Sequence, residues 1–109
     1  NIIFGIDTSI PIGLIINELI SNSLKHAFKE GTGEIKVELY PEKDDFVLKI
    51  ADNGIGFPEY MDFRETDSLG LQLVNSLVEQ IEGTIELYRN SGTEFKITFN
   101  ELSYKRRDY

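Results

Sequence analysis

From Ile12 to Phe28 the apolar residues Ile15, Ile16, Leu19, Ile20, Leu24, Ala27 and Phe28 recur at helical spacing and predict one long helix. Ahead of it, Ile2, Ile3, Phe4 and Ile6 read as a short strand. Asp7-Thr8-Ser9 then offers capping oxygens, and Pro11 fits a first helical turn where no N–H is needed. The helix is expected to run to Phe28 or Lys29 and to stop at Gly31-Thr32-Gly33. Glu34 to Tyr40 alternates strictly, with Ile35, Val37 and Leu39 on one face, as a half-buried strand does. After a turn over Pro41 to Asp45, Phe46 to Ala51 returns as its hairpin partner, with Phe46, Leu48 and Ile50 inward. Glu59 to Asp67 has no period and predicts a loop long enough to serve as a lid. Asp67 or Ser68 then caps a second helix whose stripe is Leu71, Val74, Leu77, Val78 and Ile81, closed by Gly83. Thr84 to Arg89 and Glu94 to Phe99 form a second hairpin, with Ile85, Leu87, Phe95, Ile97 and Phe99 inward.

Strand, helix, hairpin, loop, helix, hairpin: this order predicts an α+β fold. Its expected form is a two-layer sandwich, a mixed and largely antiparallel sheet with helices packed on one face. Residues 1–100 make a single domain of this kind, and 101–109, with Lys105-Arg106-Arg107, read as a solvated tail. The chain starts on Asn-Ile-Ile-Phe without Met, as a piece of a longer protein would.

Composition narrows the function. With 11 Lys+Arg against 19 Asp+Glu the net charge is −8, which disfavours nucleic acid as a partner. Any polyanionic small ligand therefore needs a local cationic pocket or a metal ion. There is no Cys, which removes disulfides and thiolate chemistry, and a single His, His26, which removes a His-rich zinc site. No apolar run is long enough to insert into a membrane.

Three places carry candidate chemistry. In Glu18-Leu19-Ile20-Ser21-Asn22-Ser23-Leu24-Lys25-His26, helical winding stacks Glu18, Asn22 and Lys25 on one face, with His26 one position on. A solvent-facing polar stripe is the plainer explanation, but this helix is apolar on its other sides, so the stripe is expected to line something. Asn22 has a neutral carbonyl oxygen suited to Mg²⁺, Glu18 is placed as a base or a holder of metal-bound water, and Lys25 and His26 suit phosphate oxygens. Asp52-Asn53-Gly54-Ile55-Gly56 has the Asn-Gly of a tight hairpin turn, yet no alternating strand follows. As a site it offers a strand-end carboxylate to an exocyclic amine, with glycines that let a flat ligand approach. Ser68-Leu69-Gly70-Leu71 places a Gly where loop becomes helix, either an ordinary helix start or a phosphate-binding one.

Taken together these motifs resemble the catalytic ATP-binding domain of sensor histidine kinases, a branch of the Bergerat-fold superfamily with gyrase, Hsp90 and mismatch-repair ATPases. Glu18-x-x-x-Asn22-x-x-Lys25-His26 is similar to the N box. Asp52-x-Gly54-x-Gly56, Leu69-Gly70-Leu71 and Gly92-Thr93-x-Phe95 are similar to the three glycine boxes. The resemblance spans essentially the whole chain. It implies Asn22 on Mg²⁺, Asp52 on the adenine amine, and Lys25 and His26 on phosphates. Gly54, Gly56 and Leu69-Gly70-Leu71 would shape the pocket and its lid, and Thr93 would support the adenine end. Glu18 and Lys25 would be the catalytic pair. Ser68 stands where the family usually has Gly, the lid is short, and Phe63 is the candidate for the phenylalanine box.

The resemblance further implies a cytoplasmic kinase that binds ATP with Mg²⁺ and passes the γ-phosphoryl to a histidine on a separate, upstream helical dimerisation domain. A response regulator would be served indirectly. Two enzyme alternatives share the superfamily: a conformational ATPase of the gyrase/Hsp90 type, in which Glu18 activates water, and a serine kinase of the anti-sigma-factor type. An interaction module that keeps the fold without nucleotide is the non-enzymatic alternative.

Overall fold

The computed structural model describes residues 4–26, 33–54, 69–89 and 92–100, with Lys25 and His26 described by backbone alone. Its elements are α1 (Ile6–His26), β1 (Ile35–Glu42), β2 (Asp45–Asp52), α2 (Leu69–Gln80), β3 (Thr84–Tyr88) and β4 (Thr93–Phe99). The strands form one sheet in the order β1-β2-β4-β3, and every described pairing is antiparallel. The two expected hairpins are present and are zipped together through β2 and β4.

Alternation along these strands sends Leu48, Ile50, Ile85, Phe95, Ile97 and Phe99 to one face, where they are buried. Ile12, Ile15 and Leu19 of α1 and Leu71, Val74, Leu77 and Val78 of α2 join them in a single core cluster. Both helices thus bury their apolar stripes on the same face of the sheet, the two-layer α+β arrangement expected from the pattern. On the opposite face a row crosses all four strands in register, Glu38, Lys49, Lys96 and Glu86. Lys49 also lies 5.6 Å over the Tyr40 ring, and the hydrogen bond it makes with Tyr40 raises its pKa.

Several local expectations change. Phe4 and Ile6 are not in a strand, and Ile2 and Ile3 lie outside the described residues. The helix begins at Ile6, because the Gly5 carbonyl accepts hydrogen bonds from the amides of Thr8 (3.1 Å) and Ser9 (2.9 Å). Asp7-Thr8-Ser9 therefore occupies the first turns rather than the cap, with the Asp7 carboxylate at the positive end of the helix. Pro11 lies inside the helix, one turn further in than expected. Phe4 instead packs its ring edge-on to Phe46 at 4.9 Å and beside Phe99 at 5.6 Å, tying the start of the helix to the sheet.

The first hairpin turns on Lys43-Asp44 alone, with Lys43 at φ 58°, and Pro41 belongs to β1. β1 is the edge strand, where a proline removes no ladder bond the sheet needs. Edge position also leaves Val37 exposed although it shares the inner face. Leu24, expected on the apolar side of α1, is likewise exposed.

The end of α2 differs in which residue turns the chain. The Glu82 amide bonds the Glu79 carbonyl (2.9 Å), and the Gly83 amide bonds the Val78 carbonyl (2.9 Å). These two bonds are the Schellman pattern, and they put Glu82, at φ 55°, in the left-handed position expected for Gly83. Gly83 is needed one residue later for space, since a Cβ there would sit 2.7 Å from the Thr98 carbonyl oxygen. The expected helix end at Phe28 or Lys29, the lid over Glu59 to Asp67 and the tail 101–109 lie outside the described residues. No helix among the described residues is long and apolar enough to cross a membrane.

Candidate functional site

Asp52 is the last residue of β2 and shares the inward parity of Leu48 and Ile50, so its side chain turns under α1. There the Ser23 hydroxyl donates to its Oδ2 at 2.8 Å, and the Gly54 amide donates to its Oδ1 at 3.0 Å. Both carboxylate oxygens are therefore held, one by a helix and one by the chain immediately following the strand. Asp52 stays half-buried, and a carboxylate oxygen has more than one lone pair, so each keeps acceptor capacity beyond these bonds.

Two further contacts fix the frame around it. Asn53 Oδ1 accepts from the Glu34 amide (2.8 Å) and the Asn53 amide donates to the Glu34 carbonyl (3.3 Å), so the Asn of Asn53-Gly54 locks the strand end to the approach to β1. Thr93, buried, is the register partner of Asp52 across β2 and β4. Gly92 precedes it at φ 134°, so close that a Cβ would fall 2.1 Å from the Asp52 carbonyl oxygen.

The second half of the site is the wall of α1. At 3.6 residues per turn the backbone positions of Glu18, Asn22 and Lys25 fall within an arc of about 60°. Glu18 and Asn22 are half-buried. Glu18 lines an open groove of about 440 Å³ between the helices, together with Leu69, Gly70, Gln72, Leu73 and Ser76. This groove sits at the N-terminal end of α2, where the positive end of the helix dipole favours anionic oxygens. Glu18 and Ser23 are five residues apart, about 7.5 Å of helix rise, so groove and carboxylate are neighbouring compartments along one helix.

Within Leu69-Gly70-Leu71 the three residues part company. Gly70 and Leu69 line the groove, with Leu69 81% exposed, whereas Leu71 is a core residue at 3%. Lys25 and His26 lie in the last turn of α1, on the same helix as Asn22. Gly56, Phe63 and Ser68 lie outside the described residues.

The donor set can be tested against Mg²⁺. Among the described residues no three His, Cys, Asp or Glu side chains gather as a cage. The Asn22 amide oxygen, with Glu18 one turn away, is a sparse oxygen set. That composition fits a hard cation that keeps most of its waters and shares phosphate oxygens with a ligand.

One residue at the site carried no role in the sequence reading: Ser23. Its signal was present. Thr8, Ile12, Ile15, Leu19 and Ser23 follow one another at helical spacing and all are buried, so Ser23 occupies a core-stripe position and must find a polar partner. That partner is Asp52.

Residues 7–103 match the family model described as histidine kinase-, DNA gyrase B- and HSP90-like ATPase. The chain is 31% identical over 93 residues to the sensor histidine kinase PdtaS of Mycobacterium tuberculosis, a match covering 81% of this chain but 19% of that protein. It is 28% identical over 110 residues to the serine-protein kinase RsbW of Listeria innocua, covering 87% of this chain and 68% of that one. Among solved structures it superposes on the Erythrobacter litoralis EL346 blue-light activated histidine kinase with a TM-score of 0.84 at 25% identity, covering 94% of this chain and 33% of that chain. The chain thus spans about a fifth of the length of PdtaS and a third of the EL346 structure. A match over residues 7–103, on a fold whose acidic strand end and helix-lined groove stand side by side, means that this chain belongs to the histidine kinase-, DNA gyrase B- and HSP90-like ATPase family.

Proposed function

We propose that this domain binds ATP with Mg²⁺ and donates the γ-phosphoryl group to a histidine on a separate helical domain. The observation that carries this reading is the doubly held Asp52 carboxylate, which presents fixed acceptors to an amine at the strand end next to a groove that opens on a helix N-terminus. Asp52 takes the adenine amine, with Gly54 and Gly56 leaving room for the ring and Thr93 backing the carboxylate across the sheet. Gly70 and the start of α2 face the phosphates, and Leu69 and Leu71 frame that turn. Lys25 and His26, at the end of α1, add positive charge and donors toward the phosphate oxygens.

Asn22 and Glu18 are the residues that would hold Mg²⁺ or its waters. When bound, the ion supplies neutralisation of charge on the phosphate oxygens. The chain's own contribution to transfer is positioning, with Lys25 stabilising charge and Glu18 available to order a water or take a proton. The acceptor sits outside this chain, on an upstream helical dimerisation domain, and a response regulator takes the phosphoryl group from it in a cytoplasmic relay.

The match to RsbW, which covers 68% of that protein, supports a second reading: a kinase that phosphorylates a serine on a protein partner. One experiment separates the two. Calorimetry with ATP and Mg²⁺ is expected to show saturable binding, and γ-labelled ATP is expected to leave this chain itself unlabelled. Supplied with the helical domain of its own full-length protein, it should yield an acid-labile, base-stable phosphohistidine. Acid-stable phosphoserine on a partner instead would establish the second reading. Label on His26 of this chain, or no ATP binding at all, would overturn the proposal.

A further inference from the structure

We infer that Ser23 is the positioning residue that gives the pocket its preference for a 6-amino over a 6-oxo purine. This inference rests on the ATP-binding reading and names how that site selects its base.

A serine in a helix interior ordinarily satisfies its hydroxyl on the carbonyl four residues back. Ser23 does not follow that habit. Its Oγ reaches across 29 positions of sequence to the Oδ2 of Asp52 at 2.8 Å, from a position only 9% exposed. The distance and the charged partner make it a charge-assisted bond, and they settle its direction, since an ionised carboxylate can only accept.

Two consequences follow for a base arriving at the strand end. The terminal torsion of an aspartate is broad when free. Here the Gly54 amide holds Oδ1 at 3.0 Å while Ser23 holds Oδ2, so the plane of the carboxylate is set before any ligand binds. The hydroxyl proton is also committed to Asp52, which leaves Ser23 Oγ showing only lone pairs. The wall at this point therefore offers acceptors alone. A purine with an exocyclic amine meets it with N–H donors. A 6-oxo purine brings a carbonyl oxygen against acceptors with no proton between them, the mismatch that polar sites reject most strongly. Removing the Ser23 hydroxyl frees the carboxylate to rotate and removes one acceptor, so the loss falls on the amine-bearing base.

The test is calorimetric or competition binding of ATP and of inosine triphosphate, with Mg²⁺, to the domain and its variants. Ser23→Ala is expected to weaken ATP about 5- to 30-fold while inosine triphosphate changes little, so the preference ratio collapses. Ser23→Thr, which keeps a hydroxyl, should keep most of the ratio. In an Asp52→Ala background, Ser23→Ala should add nothing further to the ratio, because the carboxylate that Ser23 positions is gone. If Ser23→Ala does not fold, Ser23→Cys supplies a near-isosteric weak donor and is expected to lower the ratio likewise. An unchanged ratio in the folded variant, or an equal loss for both nucleotides, overturns the inference and leaves ATP binding by the wild type standing. Failure of the wild type to bind ATP overturns the underlying reading instead.

Discussion

Replacing Asp52 with Asn is expected to weaken ATP binding about 10- to 150-fold and to leave the domain folded. The substitution keeps the shape of the side chain and one of its oxygens, so the Gly54 amide at 3.0 Å retains an acceptor. It removes the negative charge and turns one of the two oxygens into an N–H₂ donor, which faces either the Ser23 hydroxyl or the incoming amine. A hydrogen bond to a charged group contributes about 1.5–3 kcal/mol, and about 1.4 kcal/mol is tenfold in affinity, which sets the range. Calorimetry of the variant beside the wild type measures it, with circular dichroism as the check on folding. A dissociation constant within twofold of wild type would mean that Asp52 does not read the base.

The sheet was legible because period-two patterning is a direct imprint of a half-buried strand. Ile85, Phe95, Ile97 and Phe99 are buried where alternation put them. The stripe of α2 was equally plain, from Leu71 to Ile81. The start of α1 was misread because Ile2, Ile3, Phe4 and Ile6 have strand composition. Helical bonding to the Gly5 carbonyl and the packing of Phe4 on Phe46 and Phe99 override local preference there. Ile6, 74% exposed, is an apolar residue whose burial says nothing about its conformation.

At the site, the motif residues announced themselves by type and spacing, but their connections did not. Asp52 and Asn22 are visible as unusual residues in a sequence. That Ser23, the neighbour of Asn22, is what holds Asp52 depends on how α1 lies across the end of β2, a tertiary fact. Likewise Asn53-Gly54 looks locally like a hairpin turn, whereas Asn53 is spent on Glu34 at the far end of the first hairpin. Local rules were reliable for elements and weaker where two distant segments share one hydrogen bond.

Gly92→Ala is expected to cost about 3 kcal/mol or more of stability and to lower the melting temperature by roughly 12–24 °C. Two independent penalties act at this position. The backbone is at φ 134°, where a side chain is strained, and the added Cβ would lie 2.1 Å from the Asp52 carbonyl oxygen and 3.0 Å from the Asn53 Cα. Neither neighbour is the free end of a flexible side chain. The backbone of β2 at Asp52 must therefore move away from β4, in the same place where Asp52 pairs with Thr93. The damage is aimed at the site as well as the fold, so nucleotide binding should be lost even at temperatures where the variant is still folded. Gly13→Ala is the matched comparison. Gly13 lies in the exposed middle of α1 with nothing within 4 Å of the new atom, and there the same chemical change should stabilise by about 0.5–1 kcal/mol. Thermal melts of the two variants, with ATP titrations at 10 °C, separate the effects. A Gly92→Ala protein that melts with the wild type would contradict the close approach of β4 to the Asp52 carbonyl on which the geometry of the carboxylate depends.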